Sequence, residues 1–210
     1  MPVDLAAERG LVGRVLRSDV AEFTLGCRVL GVEIPEFGAF VRVQAEADAP
    51  APSPKVLGTI ADIRFEQDPF VRQLVSADVR EEYIEDQRKK RVLPIEVRVV
   101  HVGYFDAQGM GHHRLPPQPA LALQAIRPCD PKELQKFLAG GARGWQMGFV
   151  QLLLDAQIPD EALVASLGHA LAALDEPDQP EFRREAFREL SRLLAQDLRR
   201  LDSLLRRFAG

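Results

Sequence analysis

The hydrophobic pattern of this chain changes its period near residue 130, and that change constrains the fold more than any other feature. Before it, short runs rich in Val, Leu, Ile and Phe alternate with polar residues, which is typical of strands with one buried face. After it, apolar residues recur every three or four positions, as on one face of a helix. The pattern predicts an α+β protein, with a β domain over residues 1–130 and an α-helical domain over residues 131–210.

Six segments before residue 130 have the strand pattern, and LPIEVRVVHVGYFD (93–106) is the longest. Helical segments do not alternate with them, so we expect an antiparallel β-barrel of about six strands at the N-terminal end, followed by a C-terminal helical bundle. A charged stretch with helical spacing predicts a helical insertion over about residues 68–91. Gly38 and Gly58 interrupt strand patterns and are predicted to be structural glycines, at a strand entry and at a bulge or corner of a small barrel.

The apolar pattern over residues 179–208 predicts one long amphipathic helix. Asp130 and Asp160 stand where helix N-caps are expected for two earlier helices. The long helix carries an arginine stripe that would share one face and follow nucleic-acid phosphates, together with residues 88–91. The candidate contacts are Arg188, Arg192, Arg199 and Arg206. A solvated helix face, a partner helix and a second copy of the chain are the alternatives.

Composition and charge restrict the class of protein further. The formal net charge is −4, which does not favour nucleic-acid binding by the whole surface. The N-terminus has no secretory h-region and no run is long enough to cross a bilayer, so we expect a cytoplasmic protein. Cys27 and Cys129 lie too far apart in sequence for a metal motif and are expected to be reduced.

The sequence lacks the common motifs for catalysis, cofactor binding and metal binding. The sequence has no GxxxxGK[ST] loop, no GxSxG elbow and no metal-ligand spacing, so we predict no catalytic, cofactor-binding or metal-binding residue and no enzyme activity. His112 and His113 are expected on a solvated hairpin tip, and His101 is expected to be structural. A weaker alternative is an enzyme cleft between barrel and helices that uses His112, His113 or Tyr104.

The order of the strand segments resembles the HAS-barrel, the small β-barrel of HerA-type helicases and of the N-terminal regions of ATP-synthase subunits. The resemblance covers about residues 10–130. It rests on LVGRVLRSDVAEFTL, PEFGAFVRVQ, KVLGTIADIRF, LPIEVRVVHVGYF and LPPQPALALQAI. This chain departs from HerA-type proteins because a Walker A motif and an ATPase domain do not follow the barrel.

What the resemblance implies is therefore the role of the barrel and not the activity of the motor. In HerA-type proteins the barrel helps the hexamer assemble and docks a NurA-type nuclease. The resemblance implies a non-catalytic adaptor or assembly protein that binds a HerA-like ATPase, a NurA-like nuclease or copies of itself, in DNA-end processing or repair. The alternative is a nucleic-acid-binding module that uses the arginine stripe.

Overall fold

The computed structural model describes residues 12–30, 35–43, 54–65, 92–141 and 144–209. Within these ranges the chain forms nine strands and five helices. The strands are β1 Gly13–Ser18, β2 Glu22–Leu30, β3 Phe40–Val43, β4 Lys55–Phe65, β5 Val92–Phe105, β6 Gly111–His112, β7 Ala125–Pro128, β8 Ala139–Gly141 and β9 Gly144–Trp145. The helices are α1 Pro131–Leu138, α2 Gly148–Asp155, α3 Asp160–Ala172, α4 Gln179–Leu193 and α5 Leu198–Ala209.

Six of the strands form a closed antiparallel barrel. Their order is β2-β1-β7-β3-β4-β5, and the pairing of β2 with β5 closes the ring. Strand β6 extends the sheet by pairing with the end of β5. The predicted α+β class with a six-stranded barrel is confirmed, whereas the helical insertion expected at 68–91 lies outside the described residues. The division into two domains at residue 130 stays a prediction.

The wall of the barrel formed by β4 and β5 is buried on both sides. Ile60, Val97 and Val99 belong to the apolar cluster that fills the barrel. Val100 and Val102 belong to a second apolar cluster, which continues into the helices. A strand buried on both faces reads as a nearly continuous apolar run, as VRVVHVGYF does in the sequence. The barrel and the helices therefore share one wall.

Both glycines that interrupt the strand patterns occupy tight positions. Gly38 has φ +79°, and a Cβ there would lie 2.5 Å from the Cβ of Ala165 and 2.8 Å from its backbone carbon. Glycine therefore lets the loop before β3 approach α3. Gly58 lies in β4 where the register with β5 shifts, next to Leu57. The buried hydroxyl of Thr59, one residue further on, donates to the carbonyl of Gly38 at 3.2 Å.

The last helical segment is two helices, so the prediction of one long helix is wrong. Helix α4 ends at Leu193 and α5 begins at Leu198. The break has a local cause, because Asp197 Oδ1 accepts the backbone N–H of Arg200 at 3.1 Å, as an N-cap side chain does. The turn lets α5 fold back on the other helices and bury Leu204 and Phe208.

The two predicted aspartate caps have different outcomes. Asp130 caps α1, and its side chain accepts the N–H of Lys132 at 2.9 Å. Asp160 is instead the first residue of α3, and Pro159 occupies the N-cap position without a side-chain cap bond. The carboxylate of Asp160 pairs with Arg200 of α5 at 2.8 Å, so the predicted cap is wrong and the charge is used to hold two helices together.

Two further expectations concern the compartment. In the described ranges, none of the helices combines the length and the apolar character that crossing a bilayer requires. Cys27 and Cys129 are both free thiols. Burial raises the pKa of Cys27 to about 11, so that thiol is protonated at neutral pH. The cytoplasmic location stays a prediction.

Candidate functional site

A cleft of about 670 Å³ lies between the end of the barrel and the helices. Four parts of the chain build it: the segment that starts with β6, the β9 strand with the residues after it, the start of α2, and one face of α4. Its principal lining residues are His112, His113, Arg114, Trp145, Gln146, Glu185, Arg188, Glu189 and Arg192. Its volume is in the range of small-ligand pockets.

His113 holds the base of the cleft together. Its Nε2 lies 2.9 Å from the carbonyl oxygen of Phe137, and its Nδ1 accepts the N–H of Phe149 at 3.2 Å. The ring also stacks on Phe137, with centroids 4.1 Å apart. These bonds require a neutral ring protonated on Nε2, and burial lowers the pKa of His113 to about 4. The imidazole thus caps α2, whose N-cap residue Met147 makes no side-chain cap bond.

The hairpin beside His113 is fixed by Asp106. This carboxylate lies 2.7 Å from Nε2 of His112 and accepts the backbone N–H groups of Met110 and Gln108. Hydrogen bonding, first from His112 and then from Met110, lowers the pKa of Asp106. Next to it, the buried Tyr104 accepts a 3.0 Å hydrogen bond from Nε of Arg114. The hairpin therefore places the guanidinium of Arg114 at the cleft.

Helix α4 contributes a row of alternating charges, which we name the α4 charge row. It consists of Glu185, Arg188, Glu189 and Arg192. Arg188 pairs with Glu185, and Arg192 pairs with both oxygens of Glu189 at 3.0 and 2.7 Å. The two arginine side chains are 58% and 61% exposed, but the two glutamates are only 11% and 20% exposed. The guanidiniums therefore lie on the outer side of the row and the carboxylates on the inner side.

Trp145 supplies the apolar surface of the cleft. It is the only tryptophan in the chain, and it packs edge to face on Phe182 of α4 with centroids 6.1 Å apart. The β8–β9 pairing fixes its backbone opposite Ala139. The neighbouring Gln146 side chain donates to the carbonyl of Ala139 at 2.7 Å. An aromatic ring held in this way can pack against an apolar group of a ligand with little loss of conformational entropy.

A second candidate surface lies on the outside of the barrel, and we name it the leucine patch. It consists of Leu16, Leu121 and Leu123, which are 50%, 60% and 71% exposed. The N–H of Leu123 donates to the carbonyl of Val15 at 2.8 Å, and its own carbonyl accepts from Arg14 at 3.0 Å. These bonds hold the turn at 121–124, in which the N–H of Gln124 donates to the carbonyl of Leu121 at 3.2 Å, against the part of β1 that carries Leu16. Leu123 also has φ +69°, a conformation that costs a leucine about 1 kcal/mol or more.

No family model matches this chain, and no curated protein matches it in sequence. The assignment of a function therefore depends on the geometry of the cleft and of the leucine patch.

The structure does not bring the four predicted arginines together. Arg188 and Arg192 line the cleft, whereas Arg199 and Arg206 are exposed on α5 and lie outside the cleft lining. Arg206 pairs with Asp202 at 3.0 Å. The single arginine face was predicted from one continuous helix, and the break before α5 separates it into two pairs. Residues 88–91, the other basic candidates, lie outside the described residues.

The prediction of a solvated hairpin tip for the two histidines is wrong for His113. The tip is the turn between Asp106 and Met110, and both histidines follow it. His113 is packed against the helices because Gly111 and Gly148 leave room for the chain to approach Phe137 and α2. In the described part of the chain, no group of three or more His, Cys, Asp and Glu side chains could hold a metal ion.

His101 is structural in the way the sequence predicts. It is fully buried, its Nδ1 lies 2.9 Å from the carbonyl oxygen of Val20, and its ring packs on Phe23. Burial lowers the pKa of His101, so the ring is neutral inside the barrel wall.

Sequence reasoning missed Arg114, Trp145 and the two glutamates of the cleft. A signal for the glutamates was present, because acids and arginines alternate at helical spacing in EAFRELSR (185–192). The single tryptophan between glycines in GGARGWQMG was a second signal. Neither signal showed that these segments meet, since they are far from the histidine segment in sequence.

Proposed function

We propose that this chain is a non-catalytic, HAS-barrel-type adaptor that docks on a HerA-like ATPase or a NurA-like nuclease in DNA-end processing or repair. In this proposal the barrel is the N-terminal module, the helices form a C-terminal bundle that supports it, and the protein acts in the cytoplasm. The observation that carries the proposal is the leucine patch on the outside of a closed barrel.

The closed ring determines how a partner could bind the barrel. Each of its six strands has a neighbour on both sides, so a partner cannot add a strand to the ring. Recognition by the ring itself must then use side chains that point outwards. Neighbouring exposed leucines are unfavourable in water and mark protein-binding surfaces in many proteins. Leu123 keeps its unfavourable backbone conformation because both of its backbone polar groups are bonded.

The contacts around the cleft support an adaptor more than an enzyme. His113 uses both ring nitrogens to hold α1 and α2, and Asp106 uses its carboxylate to form the hairpin turn. The hydroxyl of Tyr104 is engaged by Arg114. General acid–base catalysis needs a group that can exchange a proton with a substrate, and these groups are committed to the fold.

The proposal predicts that the leucine patch determines partner binding. We expect the wild-type protein to co-elute with the purified HerA-like ATPase or NurA-like nuclease of its own host in size-exclusion chromatography with light scattering. The double variant Leu121→Asp/Leu123→Asp should weaken the complex at least about tenfold, because it places two charges where apolar contact is needed. The melting temperature of the variant should stay unchanged, since both side chains are exposed.

Leu198→Asp is the matched control, because Leu198 is an equally exposed leucine on α5, outside the patch. It should leave the complex intact. Absence of a complex with either purified partner would refute the adaptor proposal. A complex that survives the double substitution would refute the leucine patch as its docking surface.

A further inference from the structure

We infer that the cleft is a docking groove for a peptide segment of a partner protein, a segment that carries both acidic and basic side chains and one apolar anchor. The inference deepens the adaptor function proposed above and rests on it in one respect, that the segment belongs to a partner. The charges, the shape and the single tryptophan of the cleft carry the inference.

The alternating signs of the α4 charge row distinguish between two kinds of ligand. A nucleic acid presents only negative charge, so Glu185 and Glu189 would repel it while the arginines attract it. A polypeptide can present carboxylates to Arg188 and Arg192 and an ammonium or guanidinium group to Glu189. A groove whose charges alternate in sign is therefore complementary to a mixed-charge peptide. Such complementarity gives specificity and fixes the register of the peptide in the groove.

The arginines of the row can bind a ligand without giving up their glutamates. A guanidinium has five N–H donors, and those of Arg188 and Arg192 are more than half exposed, so each can donate to a ligand carboxylate while it stays paired with Glu185 or Glu189. Arg114 adds a third guanidinium from the opposite side of the cleft. The Nε–H bond of Arg114 to Tyr104 orients this guanidinium.

The shape of the site favours an extended ligand. The row spans eight residues of α4, and its ends are about 10 Å apart along the helix axis. Trp145 lies beside the row and is held by its edge-to-face contact with Phe182. Arginine and tryptophan are the residue types that contribute most often to binding energy at protein interfaces. A short segment along the row would place its apolar side chain against Trp145.

The test uses the full chain and a display library of random short peptides that lack tryptophan. Because Trp145 is the only tryptophan, its fluorescence reports directly on the cleft. We expect the enriched peptides to combine acidic and basic residues with one large apolar residue and to shift the emission of Trp145. Arg192→Glu should weaken their binding at least tenfold. A peptide with its acidic residues changed to lysine should bind this variant better than the original peptide does.

Arg206→Glu is the matched control, because Arg206 is an exposed helical arginine paired with one acid of its own helix, like Arg192, but outside the cleft. It should leave peptide affinity unchanged. The inference is overturned if no peptide is enriched, if enriched peptides bind Arg192→Glu as tightly as wild type, or if only a single-stranded oligonucleotide shifts the Trp145 emission. These outcomes are separate from the co-elution experiment, which tests the adaptor function through the leucine patch.

Discussion

Replacing Gly58 with valine is expected to lower the free energy of unfolding by about 3 kcal/mol or more, enough to leave little folded protein. A Cβ at this position would lie 2.4 Å from Cγ1 of Val99 and 3.0 Å from the carbonyl oxygen of Val100. Both neighbours belong to β5, which is held between β2 and β4 and cannot retreat without breaking the ring. The two γ-methyl groups of the valine would add to the steric overlap with β5.

Urea unfolding followed by circular dichroism measures this effect. Gly168→Ala is the matched control, because Gly168 lies within α3 and a Cβ there would have no atom within 4 Å. Alanine is the better helix former, so the control should be neutral or stabilising by up to about 1 kcal/mol. A Gly58→Val protein that unfolds at the wild-type urea concentration but has lost partner binding would contradict a structural role for Gly58.

The second large effect is expected on acidification. In the folded protein His113 stays neutral down to its lowered pKa of about 4, whereas in the unfolded chain it takes up a proton near its ordinary pKa of 6.5. The unfolded state therefore binds more protons between these two values, and stability falls as the pH is lowered through this range. A shift of this size corresponds to a loss of roughly 3 kcal/mol. Burial lowers the pKa of His101 as well, which acts in the same direction.

Urea unfolding at a series of pH values above and within this range separates the contribution of His113. His113→Gln should be destabilised at neutral pH, because one amide cannot make both hydrogen bonds of the ring. The difference in the free energy of unfolding between His113→Gln and the wild type should then shrink as the pH falls, because only the wild type has this histidine to protonate. His112→Gln is the control, since it leaves the His113 ring and both of its hydrogen bonds in place, so a fall in stability on acidification should persist in this variant. If the free energies of unfolding of wild type and His113→Gln differ by the same amount at every pH, His113 is not the titrating group.

The barrel was predictable from the sequence because its strands are long or regular enough to show their period. Strand β5 pairs with β2 or β4 along its whole length, and the closely spaced apolar residues of its sequence indicate a long buried strand. The break before α5 was not predicted because the apolar stripe continues across it. Only the side chain of Asp197 marks the new helix start, and an aspartate within an Arg-rich helix is also compatible with a surface position.

The candidate site was less predictable than the fold. The importance of His113 comes from Phe137 and Phe149, which lie 24 and 36 residues away in sequence. The local sequence around the two histidines is rich in Gly and Pro, so it favours a solvated loop. The leucine patch depends in the same way on the backbone bond between Leu123 and Val15, which hydrophobic alternation within one segment does not reveal.

The wall shared by the barrel and the helices has a consequence for how the protein melts. Val99 faces the barrel interior and the adjacent Val100 faces the helices, so the same strand belongs to both apolar clusters. Separating the helices would expose the outer face of β5 to water, and opening the barrel would remove the surface on which the helices pack. We therefore expect the strands and the helices to be lost in a single cooperative transition, with coincident curves in circular dichroism and in Trp145 fluorescence.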